Sequence, residues 1–167
     1  DQDGLYLKML WPGLEPKTQE NLREFTHVPG WGRRVSLLIQ ENRFKSSDHV
    51  LLQSELRAMT WPSYRLDFID IKHNLNQFEF LYTTQKRAEK FDFFIDGSPE
   101  ITRLFIRCSR AESVPKPGCN LVFVNDHNRM KISFERSYLP EWRNMQYSIL
   151  QLLRQFSDKY AKLSEME

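Results

Sequence analysis

The sequence predicts an α+β domain in which an antiparallel β-sheet is packed by a long C-terminal helix and a short N-terminal helix. Three observations carry that expectation. Between residues 66 and 134, short runs rich in Phe, Ile and Val recur, separated by turn formers such as Asn74-Leu75-Asn76, Asp96-Gly97-Ser98-Pro99 and Asn125-Asp126-His127-Asn128. Near the end of the chain Trp142, Met145, Ile149, Leu152, Leu153, Phe156 and Tyr160 fall three and four apart, with Arg143, Asn144, Gln151, Arg154, Gln155 and Asp158 on the opposite side. The 167 residues, 40% hydrophobic and 13% aromatic, suffice for one core, and no linker, repeat or low-complexity segment divides them. Residues 1–167 are therefore read as a single domain.

Taken in order, residues 5–11 read as a strand stopped by Pro12-Gly13. Pro16 suits a first helical turn, and Leu22 and Phe25 lie three apart, which predicts a short amphipathic helix over 17–25. A break at 28–32 leads into a strand over 33–40, with Val35 and Leu37 to Ile39 buried, and then a polar connection over 41–48. Residues 49–59 fit two periods. Val50, Leu52, Ser54, Leu56 and Ala58 alternate as in a strand, while Leu51, Leu52, Leu56 and Met59 suit a helix. The alternation favours a strand, with a helix as the alternative. After the Trp61-Pro62-Ser63 break, Leu66 and Phe68 and then Ile69 and Ile71 form a strand whose apolar parity changes at Phe68-Ile69, the mark of a register change. Phe78, Phe80 and Tyr82 alternate with Glu79, Leu81 and Thr83 in a half-buried strand. Beyond the charged run 85–90, strands over 91–95, ending at Cys108, starting at Cys119 and over 130–134 complete an antiparallel meander. Pro140 and Glu141 open the terminal helix, by fixed φ and by charge against the helix dipole.

The composition narrows the function. With 24 basic and 22 acidic side chains the chain lacks the self-repulsion of a disordered segment. Its apolar runs are strand-sized, well short of the ~18 residues of a spanning helix, so no membrane span is expected. The basic candidates Arg33, Arg34, Lys45, Lys86, Arg87 and Lys90, with Trp31, are interleaved with acids, so nucleic acid is not expected as a partner. A chain starting at Asp1 resembles a mature protein after removal of a signal or lipoprotein segment, which allows a lipid anchor upstream. Cys108 and Cys119 lie at facing ends of a hairpin, well placed for a disulfide across its mouth; two buried reduced thiols are the alternative. An exported, periplasmic protein is expected from the bridge.

No nucleophile elbow, phosphate loop, dinucleotide fingerprint, zinc-protease motif or calcium loop occurs in the sequence. His27, His49, His73 and His127 are scattered, without the short paired spacing of zinc sites. A Cys108–His127 nucleophile pair would need a free thiol, which the bridge removes. Asp67, Asp70, Asp92, Asp96 and Glu100 are candidate carboxylates for acid–base work or a hard cation, but are read as solvated strand faces and turn formers. Asp67 and Asp70, three apart in a strand, are expected on opposite faces. No catalytic residue, cofactor or metal is assigned. Trp11, Trp31, Trp61 and Trp142 adjoin breaks and are read as buried anchors, or alternatively as a rim for a partner.

Two stretches resemble known sequences. Leu10-Trp11-Pro12-Gly13-Leu14-Glu15-Pro16-Lys17-Thr18-Gln19-Glu20-Asn21, with Pro29-Gly30-Trp31-Gly32-Arg33, resembles the N-terminus of exported bacterial immunity proteins associated with type VI secretion. Phe105-Ile106-Arg107-Cys108, Pro117-Gly118-Cys119, Lys131-Ile132-Ser133-Phe134 and Leu139-Pro140-Glu141-Trp142 are similar to the end of lipase-immunity proteins of the same systems. The middle of the chain matches no motif. The resemblance implies a non-enzymatic periplasmic antitoxin that binds a delivered phospholipase or cell-wall hydrolase and blocks its active site. The alternatives are a structural or assembly component of a bacterial envelope or secretion machine and, more remotely, an enzyme with a non-standard site. The binding residues are not identified; loops 41–48, 84–90 and 109–118 are where a rigid sheet would carry them.

Overall fold

Residues 4–26, 30–41, 47–61, 65–83, 88–110, 112 and 114–164 are described by a computed structural model, with backbone alone at 81–83, 88–90 and 159–164. Eight strands, β1 (Gly4–Leu10), β2 (Arg34–Glu41), β3 (Asp67–Lys72), β4 (Leu75–Thr83), β5 (Ala88–Ser98), β6 (Ile101–Ser109), β7 (Gly118–Asn125) and β8 (Asn128–Glu135), form one sheet in the order β1-β2-β8-β7-β6-β5-β4-β3. Every pairing is antiparallel. The meander β3 to β8 therefore ends beside β2, and the connection that lets it do so carries a helix.

Alternation divides the side chains between two layers. Val35, Leu37, Phe94, Ile106, Leu121, Ile132 and Phe134 share one face with Met145 and Ile149 of the C-terminal helix α3 (Trp142–Ser164). Phe93, Ile95, Phe105 and Val122 point the other way, against Leu52 and Leu56 of α2 (Asp48–Met59). Strands β5 to β7 are thus buried on both sides, which explains their consecutive rather than alternating apolar residues.

Three sequence expectations are corrected in detail. Residues 48–59 are helix, not strand: Leu52, Leu56 and Met59 form one stripe, which packs on the apolar surface of Phe93, Ile95, Phe105 and Val122. That contact decides between two periods that the sequence alone leaves close. The N-terminal helix α1 (Leu22–Thr26) is shorter than 17–25, and none of its residues is buried. The Asn21 side chain accepts from the Thr18 N–H at 2.8 Å and donates to the Pro16 carbonyl at 2.9 Å, so backbone groups that a longer helix would pair are already satisfied. Pro140 and Glu141 lie in a 3₁₀ segment, Arg136–Glu141, and the α-helix starts one residue later. Beyond Leu153 the apolar stripe leaves the sheet, and Phe156 is exposed.

Cys108 and Cys119 face each other in the β6–β7 register and are joined in a disulfide, with both residues fully buried. No helix among the described residues is long and apolar enough to cross a membrane. The bridge spans a sequence separation of 11, for which chain entropy gives about 3 kcal/mol of stabilisation. Replacing both cysteines with Ala should lower the unfolding free energy in a urea titration by that amount. Because the sulfurs are buried, reductant should act on the wild type only once it unfolds.

Candidate functional site

The residues singled out from sequence do not converge. His49 lies in α2, while His73 and His127 occupy the β3–β4 and β7–β8 turns; His27 lies outside the described residues. The His73 carbonyl accepts the Trp142 indole N–H at 3.1 Å. Burial, then the charges of Lys72 and Arg136, push the His73 ring below its usual value and keep it neutral near pH 7. No group of three or more His, Cys, Asp or Glu among the described residues is arranged to hold a metal.

Among the basic candidates, Arg33 grips Glu24 with Nε at 2.9 Å and Nη2 at 2.7 Å, and Arg34 donates to the carbonyls of Trp31 and Phe25. Lys45, Lys86 and Arg87 lie outside the described residues, as do 42–46, 84–87, 111 and 113 of the expected binding loops; only backbone is described at Lys90. Trp11 and Trp142 are buried anchors, Trp31 is half-buried, and Trp61 is exposed. The expectation for Asp67 and Asp70 fails for a local reason. A β-bulge between Phe68 and Asp70 sets Asp67 opposite Glu79 and Asp70 opposite Gln77, which puts both carboxylates on one face. The parity change at Phe68-Ile69 was the sign of that bulge. Asp96 holds Arg103 at 2.9 Å, and Glu100 sits at an exposed turn where the Ser98 hydroxyl lowers its carboxyl.

Asp92 is the carboxylate that departs most from its sequence reading. It is 1% exposed, not solvated. Its Oδ1 accepts from Arg110 Nε at 2.8 Å and Nη2 at 2.5 Å, and its Oδ2 accepts from Arg136 Nη2. Arg110 also reaches Glu79 at 2.7 Å, and Arg136 donates to the Ser109 carbonyl at 2.7 Å. The knot ties β4, β5, the end of β6 and the end of β8 together beside the disulfide, since Asp92 pairs with Cys108 in register. Burial pushes the carboxyl up more than any other single influence. The hydrogen bonds and charges of the two arginines together outweigh it and hold the group below the ordinary carboxylate range. With both oxygens engaged and its proton held off, Asp92 is a structural tie rather than an acid or base. Arg110 and Arg136 were missed from sequence, but the tie had one signal: a charge between two core residues, Phe91-Asp92-Phe93.

Two depressions lie on the α2 side of the sheet, where among the described residues the helix covers only part of the face. Next to the helix runs a groove of about 940 Å³ lined by Val50, Leu56, Trp61, Leu66 and Pro99, with Gln53, Arg57 and Glu100 at polar positions. Toward β1 lies a second depression of about 470 Å³, where Tyr6, Trp31 and Leu38 meet Ser36, Lys131 and Ser133. Aromatic rings beside hydrogen-bonding and cationic groups are the chemistry of protein docking surfaces.

No protein-family model and no curated protein matches the chain. Among solved structures the fold is similar to that of Smlt3025, an immunity protein of the Stenotrophomonas maltophilia type IV secretion system. The TM-score is 0.63 at 13% identity, and the alignment covers 90% of this chain and 80% of that one. At this identity the likeness is one of fold.

The Asp92 tie predicts a pH dependence. Its native carboxyl titrates below its unfolded value, so its contribution is complete above about pH 4 and is lost as pH falls through the depressed native value. Asp92→Asn should cost about 3 kcal/mol at pH 7, by leaving two partly buried arginines facing a neutral amide. In urea titrations repeated from about pH 6 to pH 2, the gap between wild type and variant should narrow with acid.

Proposed function

We propose that this chain is an immunity protein: it binds an antibacterial toxin delivered between cells and neutralises it in the periplasm without turnover. The observation that carries the reading is the fold, shared over nine-tenths of the chain with an immunity protein of a secretion system. The buried disulfide supports an oxidising compartment, where such bridges persist. The aromatic and polar depressions on the α2 side supply surface for stoichiometric binding, which requires complementarity and no catalytic group. The resemblance at the two ends of the sequence adds the class of target, a phospholipase or cell-wall hydrolase. The likeness of fold supports neither that choice nor a type VI machine, since the similar structure belongs to a type IV system.

The test is capture with the oxidised protein as bait in a lysate of the source bacterium, followed by assay of each captured enzyme with and without it. One hydrolase should be retained and lose its activity at a one-to-one ratio. Co-expression should protect a host that exports that hydrolase when the chain is also exported, and should fail when the chain is kept in the cytoplasm. Capture of envelope machinery without an inhibited enzyme would overturn the reading in favour of an assembly component.

A further inference from the structure

One end of the sheet is β3, and all six of its residues are exposed. Phe68 is 58%, Ile69 46% and Ile71 65% exposed, a concentration of apolar surface unusual for an edge strand. We propose that this edge pairs with the same edge of a second copy of the chain. The strands run antiparallel about a two-fold axis between Ile69 and Asp70, joining two eight-stranded sheets into one.

The sequence Asp67-Phe68-Ile69-Asp70-Ile71-Lys72 is complementary to itself in that register. Asp67 falls opposite Lys72 of the second copy, and Phe68 falls opposite its Ile71. Opposite charges and apolar pairs directly across antiparallel strands stabilise the pairing, and an isologous contact repeats each pair twice. Parity tests the register independently. Residues facing each other across a two-fold axis normal to the sheet must lie on the same face. Phe68 and Ile71, three apart, would lie on opposite faces in a regular strand. The bulge removes that conflict: Phe68 pairs with Phe78 and Ile71 with Asn76, while Asp67 pairs with Glu79 and Lys72 with Leu75. Phe68 and Ile71 therefore share the α2 side, and Asp67 and Lys72 share the α3 side.

The backbone groups agree. The two-residue turn His73-Asn74 makes Lys72 and Leu75 a bonded pair, so alternation along β4 turns the N–H and C=O of Ile71 and Phe68 away from β4. The Ile71 N–H donates to the Asp70 carboxylate at 2.7 Å instead of to a strand. In the dimer each Phe68–Ile71 pair exchanges both of its bonds, displacing that carboxylate. A bulged, charged edge is also how proteins guard against pairing. Here Asp67 and Lys72 fall opposite partners of the other sign, while Asp70 at the bulge falls opposite Ile69 of the second copy; the two outer charge pairs favour this register over others. Because a six-residue edge buries less than a standard interface, the dimer is weak and concentration-dependent.

Sedimentation of the oxidised full chain from about 1 to 300 μM tests it. The expected mass rises from 20.1 kDa toward twice that value. Asp67→Lys, an exposed substitution, sets two lysines opposite each other twice and should weaken the dimer about tenfold. Asp67→Lys combined with Lys72→Asp restores the pairs and should return the affinity to near wild type. A monomer at every concentration overturns the proposal. A dimer indifferent to Asp67→Lys, or one that the double substitution fails to restore, overturns the register.

Discussion

The rest of the structure depends on the burial of β5, β6 and β7 on both faces. Phe93, Phe94, Ile95, Phe105, Ile106, Leu121 and Val122 are all fully buried, and they point alternately to opposite sides of one sheet. Each large side chain of this kind favours burial by roughly 1.5–3 kcal/mol, so neither face can be left in water. Two helices from distant parts of the sequence meet that requirement, α3 on one side and α2 on the other. The meander brings β8 beside β2, which extends the α3 face with Val35 and Leu37 and gives the terminal helix a surface wide enough for Met145 and Ile149. Asp92 sits within the same constraint. A carboxylate between two buried phenylalanines is tolerated because two arginines reach it, and in doing so they fasten the end of β8 to β5.

Much of this was legible in the sequence, and the parts that were not share a cause. The strands of the meander, the terminal helix and the disulfide each have a local signal: alternation, a stripe at three and four, and two cysteines at facing hairpin ends. The bulge in β3 was legible too, as the parity change at Phe68-Ile69, although its effect on Asp67 and Asp70 was not drawn from it. Residues 49–59 favoured a strand over a helix because their two periods differ little in the sequence, and the deciding contacts include β6 and β7, more than forty residues away. The Asp92 tie was not legible for the same reason. Arg110 is 18 residues and Arg136 is 44 residues from Asp92, and nothing in the spacing connects them.

The candidate site follows from a mismatch in widths. A sheet of eight strands is far wider than one twelve-residue helix, so α2 covers the middle of its face and, among the described residues, leaves both flanks open. On the β1 flank, alternation turns Tyr6, Leu38, Ser36, Ser133 and Lys131 toward solvent, and Trp31 borders them. On the β3 flank, Phe68 and Ile71 are exposed on the same face. Both flanks belong to a frame stiffened by hydrogen bonding, the disulfide and the arginine tie, so a partner would meet preformed surface and little ordering cost would oppose binding.

A sheet covered in this way places two separable demands on its sequence. The core must cover both faces of β5 to β7, and many combinations of apolar side chains do so, which lets a fold persist while identity falls to a low level. The outward positions of the flanking strands are not restricted by the core and can vary without cost to the fold. Likeness of fold over nine-tenths of the chain at 13% identity is what this division permits: both the core and the outward surface can change composition while the layers and the pairing of the strands are kept.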